Sequence, residues 1–203
     1  LSSTLLSAYE NRGIQVFLNK RTQKVQKIND KIALTIEDRD SNQKEIIQAD
    51  NILIAPGIIP NTDLLNIKNT SITINEKGWI QTNEFLETSV KDIFAFGDIN
   101  GEAQFRHKAN YEADILAHNL SKPCKEWRFA NYDNVPAVIF SNPEVSSVGL
   151  TEKEARNKGF DIVVAKNKYN QTAKGFALGY DDSISPHNDA FAKLIINKES
   201  NYI

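Results

Sequence analysis

Ile93-Phe94-Ala95-Phe96-Gly97-Asp98 is an apolar run that ends on a glycine and a carboxylate. Four consecutive apolar residues suit a strand covered on both faces. In open α/β sheets, ligands collect where such strands end. Gly97 would let a ligand approach the backbone, and the Asp98 carboxylate can accept charge-assisted hydrogen bonds from a sugar or polyol hydroxyl. The plainer reading is that Gly-Asp opens a loop and caps the next element. The six residues alone are compatible with both.

An amphipathic helix comes next, from about Ala103 to Leu120, opening near Gln104-Phe105-Arg106-His107. Its first backbone N–H groups have no intrahelical partner and carry the positive end of the helix dipole, so they would favour an electron-rich ring edge beside Asp98. The alternative is a surface helix with solvated Arg106, His107 and Lys108, as most charge clusters are.

Upstream, Leu1, Leu5, Leu6 and Tyr9 fall on one helix face, and Gly13 follows where a left-handed cap belongs. Ile14 to Leu18 reads as a short strand. Thr22 to Ile28 and Lys31 to Glu37 alternate on either side of Asn29-Asp30, a tight-turn pair, which gives a small antiparallel meander. Asn51 to Ala55 is nearly all apolar and stops at Pro56-Gly57, as a strand buried on both faces would. Ser121 to Asn134 mixes Pro, charged and aromatic residues and reads as a linker. Beyond it come strands at Ala137 to Phe140 and around Val145 to Val148. A helix then opens on the capping box Thr151-Glu152-Lys153-Glu154, and strands follow at Asp161 to Ala165 and Phe191 to Asn197. The class is α/β in the first part and α+β in the second.

Composition narrows the function. With 40% hydrophobic and 25% charged residues, the 203-residue chain can bury a core. Its 24 Lys and Arg intersperse with 26 Asp and Glu, so no field for nucleic acid is built. The longest apolar stretch, Ile52 to Pro60, falls well short of the roughly 20 residues that span a bilayer, and no signal peptide is seen. Neither nucleic acid nor membrane is expected as a partner, and a cytoplasmic location is expected. The single cysteine, Cys124, excludes a two-cysteine redox centre within these residues. Set between Pro123 and Lys125 without a partner, it reads as inert. His107, His118 and His187 do not converge on a metal site, and His187 reads as a solvated loop residue. The chain has no methionine, opens on Leu1, and has only Tyr202 and Ile203 after the turn at Lys198 to Asn201. It is therefore expected to be a fragment of a longer protein.

The ordered set Ala55-Pro56-Gly57 with Pro60-Asn61-Thr62, Gly78-Trp79-Ile80, Thr88, Ile93 to Asp98 and His107-Lys108-Ala109 resembles the pyridine nucleotide-disulfide oxidoreductase family. Tyr132 to Pro136, Phe140 to Val145 and Val148 to Glu152 resemble the opening of that family's dimerisation domain, as in its dihydrolipoamide dehydrogenase and mercuric reductase branches. The resemblance implies a carboxyl-side fragment in four parts. Residues 1–80 would be the carboxyl half of an NAD(P)-binding domain and 81–120 a returning segment of an FAD-binding domain. Residues 121–134 would be a linker, and 135–203 a partial dimerisation domain.

The resemblance also implies FAD and NAD or NADP as cofactors, a disulfide or dithiol substrate and a homodimer. By it, Gly97 and Asp98 would meet the flavin's ribityl chain, and Gln104, Phe105, Arg106 and His107 would face its pyrimidine edge. Gly57 would lie against the nicotinamide cofactor. Two residues depart from the family pattern: Arg106 stands where a small residue is usual, and Ile58 where Arg is often found. The family's Gly-x-Gly-x-x-Gly loops, cysteine pair and His-Pro segment have no counterpart in these residues, so no catalytic residue is assigned and this chain alone is expected to be inactive. The alternative is a naturally truncated, non-catalytic dimerisation or binding module.

Overall fold

The computed structural model describes residues 2–179, 190–200 and 202, which leaves His187, Leu1, Asn201 and Ile203 outside the described residues. The chain divides into two compact units, Leu1–Gly57 and Ile58–Ile203.

The first unit opens with helix α1 (Ser2–Glu10), which Gly13 ends at φ +76°, in the left-handed region glycine tolerates best. Three antiparallel strands follow: β1 (Lys20–Ile28), β2 (Lys31–Asp38) and β3 (Lys44–Ala49), in the order β1-β2-β3. Asn29 takes the left-handed conformation the tight turn needs, at φ +55°. The third strand of the meander thus follows the expected pair. Ile14 to Leu18, expected to be a strand, forms none.

Asn51 to Ala55 is likewise unpaired, and it is not buried: Leu53 is 91% and Ile54 73% exposed. A strand exists only through its ladder. Among the described residues, neither segment pairs with a neighbouring strand; Ile14 N donates back to Tyr9 O (3.1 Å), at the end of α1.

Between β2 and β3, Asp38 accepts hydrogen bonds from Ser41 N (2.9 Å), Ser41 Oγ (3.0 Å) and Asp40 N (3.1 Å), and pairs with Lys20. These bonds, the Ser41 amide foremost, hold its carboxyl at about 2. A carboxyl depressed on folding stabilises the fold above its ordinary value and ceases to do so as pH falls through the folded one. An NMR titration is expected to show Asp38 ionised down to about pH 2, with the turn loosening only below that.

The second unit is built on helix α2 (Arg106–Leu120). Its Ile115 and Leu116 form a core with Leu86 and Ala130, against which Phe94 and Tyr132 pack. Ile93 to Phe96 is extended but makes only a single bridge, Phe94 to Glu87, with Ala95 N donating to Leu86 O (3.0 Å). It is one arm of a narrow hairpin, and it ends in a 3-10 turn at Gly97–Asn100. Residues 121–134 are more than a connection: Asn119 exchanges hydrogen bonds with the Arg128 backbone (2.8 Å each way), and Trp127 meets the rings of Phe85 and Phe94. Aromatic and amide groups in a Pro-containing stretch anchor it to α2.

Beyond lie hairpin β4 (Ala137–Ile139) and β5 (Val145–Ser147), helix α3 (Glu152–Asn157), β6 (Ile162–Lys168), a short helix α4 (Ala173–Ala177) absent from the sequence expectation, and β7 (Phe191–Asn197). Thr151 and Glu154 form the expected capping box on α3. Strand β7 pairs antiparallel with β6, and Asn197 N donates to Tyr202 O (2.9 Å) across the next turn. The class is mixed α/β followed by α+β. Among the described residues, no helix is long and apolar enough to cross a membrane.

Candidate functional site

Gly97 has φ +77°, and a Cβ placed there would touch Ala109 Cβ at 3.6 Å, so the turn lies directly on the first turns of α2. Four residues hold it there. Glu112 Oε2 accepts from Gly97 N (2.6 Å), and Lys108 Nζ donates to Gly97 O (2.9 Å). Lys108 Nζ also donates to Asn100 Oδ1 (2.6 Å), while Asn100 Nδ2 donates to Glu112 Oε1 (2.7 Å). Lys108 and Glu112 pair at 3.1 Å, one helical turn apart, with side chains 1% and 0% exposed. Tyr132 Oη closes the network by donating to Glu112 Oε1 (2.5 Å). Burial first, and this bond second, push the Tyr132 phenol well above its usual range, which keeps it a donor.

The network corrects the sequence reading of Lys108. It is not solvated beside Arg106 and His107; it lies in the core with Glu112 and Asn119. Positions 108, 112, 115, 116 and 119 share one helix face, so polar and apolar residues are buried together. The i, i+4 Lys-Glu pair on the apolar stripe was the available signal.

Asp98 projects from the stapled turn. It is exposed, and its carboxylate receives no hydrogen bond among the described residues. Its backbone O accepts from Gly101 N (3.0 Å), which closes the turn. Helix α2 begins at Arg106 after Phe105, three residues later than expected, because Phe105 is extended (φ −127°, ψ 138°). No side chain caps this helix start, so the N–H groups of its first turn are free to donate. Gln104 and Arg106 are exposed, Phe105 stacks on His107 (5.2 Å between rings), and His107 Nε2 donates to Pro136 O (2.6 Å). The second unit thus brings together Gly97, Asp98 and the segment from Gln104 to His107.

Beside this helix start is a cleft of about 340 Å³, lined by His107, Tyr111, Asn131, Asn134 and Pro136. Gly57 belongs to the first unit, at φ +94° and with open space around it. That backbone conformation alone demands glycine there. Cys124 is an exposed free thiol, and His118 Nε2 donates to Glu126 O (3.0 Å). No cluster of metal-ligating side chains occurs among the described residues.

Comparison with known proteins adds three findings. Residues 1–113 match the family model described as pyridine nucleotide-disulphide oxidoreductase, and residues 135–203 match the dimerisation domain of the same family. The chain is 33% identical over its full length to a dihydrolipoyl dehydrogenase of Bacillus subtilis, covering 41% of that protein, and 35% identical over 80% of its length to a mercuric reductase of Staphylococcus aureus, covering 29% of it. The chain thus spans about two fifths of the length of the first relative. A mutant of an HOCl-induced flavoprotein disulfide reductase from Escherichia coli, solved as a Cu(II) complex, superposes with a TM-score of 0.81 at 24% identity. That match covers 98% of this chain and 42% of the other, and it is a likeness of fold.

Proposed function

We propose, because this chain belongs to the pyridine nucleotide-disulphide oxidoreductase family, that it is part of an FAD-dependent enzyme exchanging electrons between NAD(P)H and a disulfide or dithiol, of dihydrolipoamide dehydrogenase type. The observation that carries this reading is the exposed Asp98 carboxylate, without a protein donor, on a turn stapled beside the uncapped start of α2. This donor and acceptor set fits a flavin: a carboxylate for ribityl hydroxyls and backbone N–H groups for an electron-rich ring edge.

When bound, FAD supplies the two-electron relay between the nicotinamide and the sulfur substrate. The chain's own residues bind and orient it. Asp98 accepts hydrogen bonds, while the first turn of α2, from Arg106 to Lys108, offers donors and the positive dipole end, a fixed arrangement that needs little reorganisation. Gln104 and Phe105 lead into that turn. Arg106, one of the two departures from the family pattern, is exposed and leaves its backbone N–H to serve. Gly57 would take the nicotinamide cofactor. In this reading, residues 1–80 serve NAD(P), 81–120 serve FAD, 121–134 connect, and 135–203 make a homodimer.

Asp98→Ala in the full-length flavoprotein is expected to raise the FAD dissociation constant about 10- to 100-fold, the worth of one or two charge-assisted hydrogen bonds. Flavin content and fluorescence after dilution measure it. Full retention of flavin by this variant would remove Asp98 from the site.

A further inference from the structure

We propose that the buried Lys108–Glu112 pair is the positioning device of the flavin site, acting through the two peptide groups that flank Gly97. This rests on the reading that Asp98 holds the flavin. The N–H of Gly97 belongs to the peptide before its Cα, and the C=O to the peptide after it. Glu112 holds the first at 2.6 Å and Lys108 the second at 2.9 Å. Both backbone torsions of the most permissive residue type are thereby fixed, at a φ of +77°. Asp98 is the next residue, so the direction in which its carboxylate leaves the turn is set by two side chains that do not themselves reach the surface.

The chemistry of the pair suits this task. A glycine turn held by neutral contacts would keep several conformers, and ligand binding would bear the cost of choosing among them. A carboxylate and an ammonium make stronger hydrogen bonds than neutral groups, and in a dry core neither has water as a competing partner. Asn100 and Tyr132 occupy the remaining sites: Asn100 bridges both charges, and the phenol of Tyr132 takes a further lone pair of Glu112. The same side chains therefore settle three things: the turn's conformation, its placement on α2, and the distance from Asp98 to the helix start. Flavin recognition in this chain has a support layer of four polar residues under a surface acceptor.

A purely structural role for the pair would also lower stability on substitution, so the test is coupling to Asp98 rather than loss of fold. FAD dissociation constants are measured by reconstituting the full-length apoprotein of the parent, Asp98→Ala, the double variant Lys108→Met/Glu112→Leu, and the triple combination. The double variant removes both charges together and is expected to bind FAD about tenfold more weakly. The triple variant should bind FAD little more weakly than Asp98→Ala alone, because an unheld turn no longer aims the carboxylate. If the factors multiply, the pair does not act through Asp98 and the proposal is overturned, while the flavin site stands. If Asp98→Ala leaves FAD binding unchanged, the flavin reading itself falls.

Should the double variant not fold, Tyr132→Phe supplies the same cycle through a milder change, the loss of one hydrogen bond to Glu112. A roughly threefold weakening that vanishes in the Asp98→Ala background is expected. Its persistence there, or no weakening at all, would overturn the proposal.

Discussion

Glu112→Leu made alone is expected to lower stability by about 3–5 kcal/mol, the usual consequence of stranding one member of a buried ion pair. The full-length protein should show it as a large downward shift of the urea midpoint. The reason is local. With the carboxylate gone, the Lys108 ammonium stays in a dry core with only Gly97 O and Asn100 Oδ1 as acceptors. Gly97 N, Asn100 Nδ2 and Tyr132 Oη each lose their acceptor at the same time. Coupling the change to Lys108→Met removes the stranded charge, so the double variant should be the more stable of the two although it lacks more groups. If the single variant lost less than about 1 kcal/mol, water would have to reach Lys108, and the pair could not be treated as dry.

Gly101→Ala should come close to it, at about 2–5 kcal/mol, from overpacking together with a left-handed backbone. The added Cβ would lie 2.4 Å from Trp79 Cγ, 2.7 Å from Cδ1 and 2.8 Å from Cβ, which are the root of a large ring rather than its movable end. Trp79 cannot retreat easily: it is 8% exposed and tied through its backbone to Asn75, while the next residue, Ile80, donates to Ile99 O (3.0 Å). Gly101 also sits at φ +76° and donates the N–H that closes the turn at Asp98. Loss of stability and loss of flavin should therefore appear together in this variant, by thermal unfolding and by flavin release. A variant that keeps its parent's unfolding temperature would mean that Trp79 has room the packing does not show.

How far the sequence could be read depended on how far apart the interacting residues are. The caps and turns, Gly13 after α1, Asn29 between β1 and β2, Thr151 with Glu154 on α3, are chemistry between near neighbours and were legible. So was the juxtaposition of Gly97-Asp98 with a helix start. Strand formation was not, because Ile14 to Leu18 and Asn51 to Ala55 have strand composition but no ladder partner among the described residues. The support beneath the site was missed for a different reason. Hydrophobic periodicity assigns Lys108, Glu112 and Asn119 to water, whereas each is buried because its partner comes from elsewhere, Asn100, Tyr132 or the Arg128 backbone.

Those three polar residues give α2 an index mark. Apolar contacts such as those of Ile115 and Leu116 are graded and tolerate a helix that seats slightly rotated. Hydrogen-bonded groups are all or none. A slip of one residue turns the helix by roughly 100°, and it would leave an ammonium, a carboxylate and an amide without their counterparts at one stroke. The helix therefore has one way to dock.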